Sequence, residues 1–174
     1  MSIETLVIVH VVISLVGLAS GFVVLGALLR SRIAAGWATL FLATTLATSV
    51  TGFFFPITRI GLGQVFGGLS LAVLLPAIAA LYAFHLAGPW RRIYVSGVTT
   101  ALYLNAVIGV NQAFAKIDML RALAPTRSAP AFLLTQLAVL VIFIVLGALA
   151  AKRFHPRPPA PPTDRRWLVL SSVR

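Results

Sequence analysis

The chain has 174 residues, of which 60% are hydrophobic and only 10% charged, with a net charge of +11 and no cysteine. A soluble core of this size cannot hide so much apolar surface, so the composition is that of an integral membrane protein, and the basic excess reads as span-end anchors rather than a nucleic-acid surface. Without cysteine there can be no disulfide, thiolate nucleophile, thiol relay or cysteine-ligated iron–sulfur cluster.

A hydrocarbon core about 30 Å thick needs roughly 20 apolar residues per helix. Charged residues divide the sequence into five such runs, 6–29, 33–55, 64–87, 93–114 and 129–151. Segments of alternating polarity that would suit barrel strands are absent, and helices satisfy their own backbone in lipid. The expectation is an all-α integral membrane bundle of five transmembrane helices over residues 1–151, followed by a Pro/Arg-rich cytoplasmic tail over 152–174.

The first span opens without a basic segment, which predicts a retained helix rather than a cleaved signal. It carries Gly17-x-x-x-Gly21, a motif that lets another helix approach its backbone, most simply within the same chain. The second span places five hydroxyl side chains between Thr44 and Thr51. Thr44, Thr48 and Thr51 recur at i, i+4 and i+7 and so share one helix face, with Thr45 and Ser49 on an adjacent one. Pro56 ends this span, because it cannot donate to the helix ladder.

Gly63 and Gly67 open the third span, Pro76 is expected to kink it, and His85-Leu-Ala-Gly-Pro-Trp-Arg-Arg92 ends it. The fourth span is the most polar, with Asn105, Asn111 and Gln112. Residues 116–124 suit a short amphipathic surface helix with Asp118 and Arg121 one turn apart. The fifth span holds Thr135 and Gln136 near its start and is then apolar to Lys152. The tail alternates proline with arginine and cannot build a core; extended, it can rest on an anionic leaflet or dock a partner.

When Lys and Arg are assigned to alternating sides, ten of the fourteen fall with the 30–32 and 91–92 turns and the tail. The positive-inside tendency makes that side cytoplasmic, with the N-terminus outside and the C-terminus inside. Trp37, Trp90, Tyr94 and Trp167 fall on the same side, where amphipathic rings favour the headgroups.

Helix rise then sorts the polar residues by depth. His10, Thr48, Thr51, Asn111, Gln112 and Gln136 fall in the outer half, with Thr44 and Asn105 near the middle. Two readings stand side by side. These residues line a polar cavity open to the outside, or they are interhelical packing, with hydroxyls bonded one turn back and amides bridging helices for roughly 1 kcal/mol.

No catalytic set can be assembled. Glu4, Asp118 and Asp164 are the only acids, and none lies within a span, so the intramembrane carboxylate usual in ion-coupled carriers is missing. No metal site is predicted. A bis-histidine haem needs its two axial ligands at one level, whereas His10 and His85 are separated by roughly 25 Å along the membrane normal from helix rise, which leaves a single-ligand haem or a site shared between chains. No cofactor is required by the sequence, and haem or quinone remains a minor alternative.

Thr48-Ser-Val-Thr-Gly-Phe-Phe-Phe-Pro56, Tyr103-Leu-Asn105, Asn111-Gln-Ala-Phe114 and Leu123-Ala-Pro-Thr126 resemble small uncharacterised multi-pass bacterial inner-membrane proteins. The resemblance covers spans two to five and implies a bacterial inner-membrane location and a helix count, without an activity. The leading expectation is a structural or accessory protein of the lipid bilayer, assembling with itself or a membrane-protein partner. The alternatives are a small-molecule binder taking quinone, lipid or haem in the outer-leaflet cavity, and a redox or transport component.

Overall fold

The structure is a computed structural model that describes residues 2–54 and 62–155; Pro56, the 57–61 turn and the tail beyond His155 lie outside the described residues. It is all-helical among those residues, with α1 Ile3–Leu29, α2 Ala35–Gly52, α3 Leu62–Tyr82, α4 Trp90–Lys116, α5 Asp118–Leu123 and α6 Pro130–Arg153. Four of the helices, α1, α3, α4 and α6, are long and apolar enough to cross a membrane. The hydroxyls of α2 lower its hydropathy, and it does not join that set.

Local chemistry sets the helix ends. Ser2 caps α1 by accepting from the Thr5 amide, and Pro130 occupies the first turn of α6, where a missing N–H costs nothing. The helix α3 runs unbroken through Pro76 but stops at Tyr82, five residues before the expected end of the third span at Ala87. His85, Leu86 and Gly88 take positive φ in the turn that follows, and the stacked rings of Phe84 and Trp90 close it with centroids 3.7 Å apart. The short helix expected after the fourth span is present as α5, with Asp118 paired to Arg121.

The helices form a ring in the order α1, α2, α3, α4, α6, and α4 also contacts α1 and α2 across it. Cross-helix contacts identify the two ends. At one end His10 meets Thr51, and Phe114 packs edge-on against Phe132. At the other, Thr39 bonds Tyr82, Arg91 Nη1 donates to the Phe154 carbonyl at 2.6 Å, and the His155 amide donates to Ser31 Oγ at 2.8 Å. The last two contacts fasten the end of α6 to the rest of the ring. Tyr94, expected at a membrane interface, is instead buried against Phe154.

Small residues make the closest approaches. A Cβ added at Gly97 of α4 would lie 2.8 Å from both the Val73 carbonyl oxygen and Ala77 Cβ of α3, and one at Gly21 of α1 would press on Leu102 and the Phe41 ring. The Gly17-x-x-x-Gly21 motif is thus used within the chain, with Gly17 against Thr44 and Thr45 of α2. Around these contacts sits the core, with Val24, Phe41, Leu74, Val98 and Leu102 all essentially inaccessible.

Backbone cannot retreat as a flexible side chain can. Gly97→Ala is therefore expected to destabilise the bundle by about 1–3 kcal/mol through overpacking. Gly26→Ala, whose Cβ would meet nothing within 4 Å, is expected to be neutral or slightly stabilising, since glycine costs about 1 kcal/mol in a helix. Reversible unfolding of the two variants in mixed micelles checks this; equal midpoints would refute it.

Candidate functional site

The bundle is tight near Gly21 and Gly97 and open at the end carrying His10 and Lys116. Two glycines at that end face space: a Cβ at Gly63 would meet nothing within 4 Å, and one at Gly109 only Leu18 Cδ2 at 3.9 Å, while Gly67 packs on Phe53 and Ser49. The result is a cavity of about 970 Å³ between α1, α2, α3 and α4. Small-molecule sites span about 300–1,000 Å³, so this one is at the large end of the range.

Most of the exposed surface of the wall is apolar, with Val7, Val11, Leu15 and Leu18 following one edge of α1. Polar groups enter from every side. The α4 face running through Asn105, Ile108, Gln112 and Lys116 has helical spacing, so one strip of α4 descends from a cation through two amides. Gly63, Gly67 and Ser70 make an equivalent strip on α3. Lys116 and Arg127 sit at the mouth and are exposed to solvent.

Hydrogen bonds show which polar groups are already committed. Thr51 Oγ1 donates to the Ala47 carbonyl at 2.8 Å. Having spent its one proton there, it accepts from His10 Nδ1 at 2.9 Å. This assigns the proton of the neutral imidazole to Nδ1 and leaves Nε2 as the acceptor nitrogen. Ser14 Oγ donates to the His10 carbonyl at 2.6 Å and lies 3.4 Å from Thr48 Oγ1. Asn105 Nδ2 reaches the buried Thr45 Oγ1 at 3.3 Å. Ser70 differs from all of these: it is 4% exposed and its hydroxyl has no hydrogen-bond partner among the described residues. A buried polar group left so costs about 1–3 kcal/mol unless something else supplies the bond.

Of the residues expected from sequence, His10, Thr48, Asn105, Asn111 and Gln112 line the cavity. Thr51 touches it only through His10. Thr44 lies outside, bonded to the Leu40 carbonyl at 2.6 Å and packed against Gly17. Gln136 also lies outside: it donates from α6 to the Val107 carbonyl at 3.3 Å, and its Oε1 is buried without a partner. The face of α2 that meets the cavity is therefore a seam between the two sequence faces, carrying Thr48 and Ser49, because the Thr44 side is taken up by α1.

Sequence reasoning missed Ser14, Gln64 and Ser70 and the cations Lys116 and Arg127, all of which line the cavity. A signal was available for some of them. Lys116 follows Gln112 by four residues, and Ser70 follows Gly63 and Gly67 by seven and three. His10 and His85 fall at opposite ends of the bundle, and no group of three His, Cys, Asp or Glu side chains suited to a metal occurs among the described residues. Compared with known proteins, the chain matches no family model, no curated protein and no solved structure.

With no native cysteine, single replacements report accessibility directly. In the solubilised protein, Thr48→Cys and Gln112→Cys are expected to react with a charged methanethiosulfonate. Thr45→Cys, at 0% exposure, is expected to be at least about tenfold slower, since a dry packed position excludes the reagent. Equal rates at positions 45 and 112 would mean that the cavity wall is not where the structure puts it.

Proposed function

We propose that this is a five-span protein of a bacterial inner membrane, with its N-terminus outside, that binds a small lipid-soluble molecule in the cavity of its outer half. Membership of the multi-pass inner-membrane group that the sequence resembles is part of this reading. The helix α2 serves as the fifth span. Its low hydropathy is no obstacle, because Thr44, Ser49 and Thr51 return their protons to carbonyls one turn back at 2.6–2.9 Å and so present little unpaired polarity to lipid. Charge supports the orientation. Among the described residues Arg30, Arg32, Arg91, Arg92, Lys152 and Arg153 gather at one end, against Lys116, Arg121 and Arg127 at the cavity end.

The observation that carries the binding role is the cavity itself, about 970 Å³, whose exposed surface is mainly apolar and is crossed by amides, an imidazole and the Ser70 hydroxyl, which has no partner among the described residues. Interhelical packing explains the hydroxyls bonded to their own carbonyls, but it requires no empty volume. A purely structural role gives no reason to leave this volume among the four helices at one end while they pack closely at the other. A lipid-soluble ligand does.

The test is extraction. The full chain purified in mild detergent is expected to yield a hydrophobic small molecule, enriched over the bulk lipid by mass spectrometry. Gly109→Leu puts a side chain into the open space beside Leu18 and is expected to lose that molecule while keeping its melting temperature. Identical extracts from the two proteins would overturn the binding role. Orientation is read separately: Gln112→Cys is expected to label from outside intact spheroplasts and Arg32→Cys only after lysis, and the reverse pattern would overturn it.

A further inference from the structure

Length, charge and wall chemistry narrow the ligand. Along α4 the cavity extends from Lys116 to Leu104, twelve residues or roughly 18 Å at the helix rise. Half of a hydrocarbon core about 30 Å thick is about 15 Å, so the space is about one leaflet deep. Its bottom carries Leu18 and Leu104 beside the amide of Asn105, which is already bonded to Thr45, and the buried Ser70 hydroxyl. Its mouth carries Lys116 and Arg127, with no acidic residue among the described residues of the wall. Asp118, the nearest carboxylate in sequence, is paired with Arg121. Glu4, on the first turn of α1, does not line the cavity.

A neutral ligand would gain nothing from two cations at the entrance. A zwitterionic one would bring a positive group to a mouth with no acid among its described residues to receive it. Gln112 lies one turn below Lys116 on the same strip of α4, where an amide can donate to a headgroup or linker oxygen.

Resting on the binding role above, we infer that the cavity takes a single-chain anionic amphiphile. Its carboxylate or phosphate monoester meets Lys116 and Arg127, and its tail runs down between α1 and α4 toward Leu18 and Leu104. Free fatty acid and lysophosphatidate share this chemistry.

The experiment measures radiolabelled palmitate binding to the full chain in neutral detergent, with competition by unlabelled lysophosphatidate and by hexadecanol. Palmitate is expected to bind, and hexadecanol to compete roughly tenfold less well, as expected for loss of charge-assisted hydrogen bonds at a partly solvated mouth. Lys116→Gln combined with Arg127→Gln is expected to weaken palmitate roughly tenfold while leaving competition by hexadecanol unchanged. Both side chains are exposed, so the melting temperature should not move. Gly109→Leu is expected to abolish binding of acid and alcohol alike. Stronger displacement by lysophosphatidate than by palmitate assigns the headgroup as phosphate, and the converse assigns it as carboxylate.

Equal competition by hexadecanol and palmitate, or full palmitate affinity in the double variant, overturns the anionic assignment and leaves the cavity role standing. Palmitate binding that survives Gly109→Leu places the acid elsewhere and overturns the inference, as does no palmitate binding at all; the extraction experiment still decides the binding role in either case.

Discussion

The arrangement depends on one close approach, that of α4 to α3 at Gly97. Only a residue without a side chain allows the Val73 carbonyl and Ala77 to come so near. Dispersion between packed surfaces is the main force holding helices together where lipid is as apolar as the protein. Once α3 and α4 meet there, and α1 settles over Phe41 and Leu102 at Gly21, the two approaches act as a pinch. Helices held tightly at one level and joined by loops at their ends can separate only at the other, and the cavity follows from that geometry.

The same pinch sorts the polar residues. In the closed half some buried polarity is consumed locally, as with Ser20, which donates to the Val16 carbonyl at 2.7 Å, whereas the buried Thr99 hydroxyl has no partner among the described residues. In the open half amides and an imidazole can stand in the wall, because their remaining hydrogen-bonding capacity faces a space. The end that has to be closed is fastened differently. Arg91 holds the carbonyl of Phe154, and Ser31, in its positive-φ turn, holds the amide of His155. These two contacts tie α6, which packs mainly on α4 and α1, into the ring.

Much of this was legible before any coordinates, and the errors have identifiable causes. Helix rise alone put His10, Thr48, Asn111 and Gln112 at one level, since depth depends only on sequence position and direction. Rotation about each helix axis is another matter, because it is set by the neighbours. Thr44 shares a face with Thr48 in any ideal helix, yet Gly17 draws α1 over Thr44 and leaves the seam at Thr48 and Ser49 toward the cavity. Gln136 is at the right level on the wrong side of α4, a distinction that needs the ring order. Lys116 and Arg127 were read as topology signals, and that role concealed their position at the cavity mouth. Tyr94 was read as an interfacial anchor by residue type, whereas Phe154 folding back over it makes it part of the core.

The hydroxyl-rich stretch of α2 has two kinds of member. Thr44, Ser49 and Thr51 bond back to carbonyls one turn earlier, and such bonds let a threonine or serine sit in an apolar helix at little cost. Thr51 then does something a valine could not. With its proton committed to Ala47 it becomes an acceptor, and that orders the imidazole of His10 across the helix pair. Thr45, for which no bond back to its own helix occurs among the described residues, accepts from Asn105. At Thr51 back-bonding and wall-building are therefore one device in two steps. The backbone takes the hydroxyl proton, and the oxygen lone pair, now turned toward a neighbouring helix, fixes a side chain that lines the cavity. Replacing these hydroxyls with apolar residues would leave α2 intact and release the groups that line the site, so the threonines belong to the cavity even where they do not touch it.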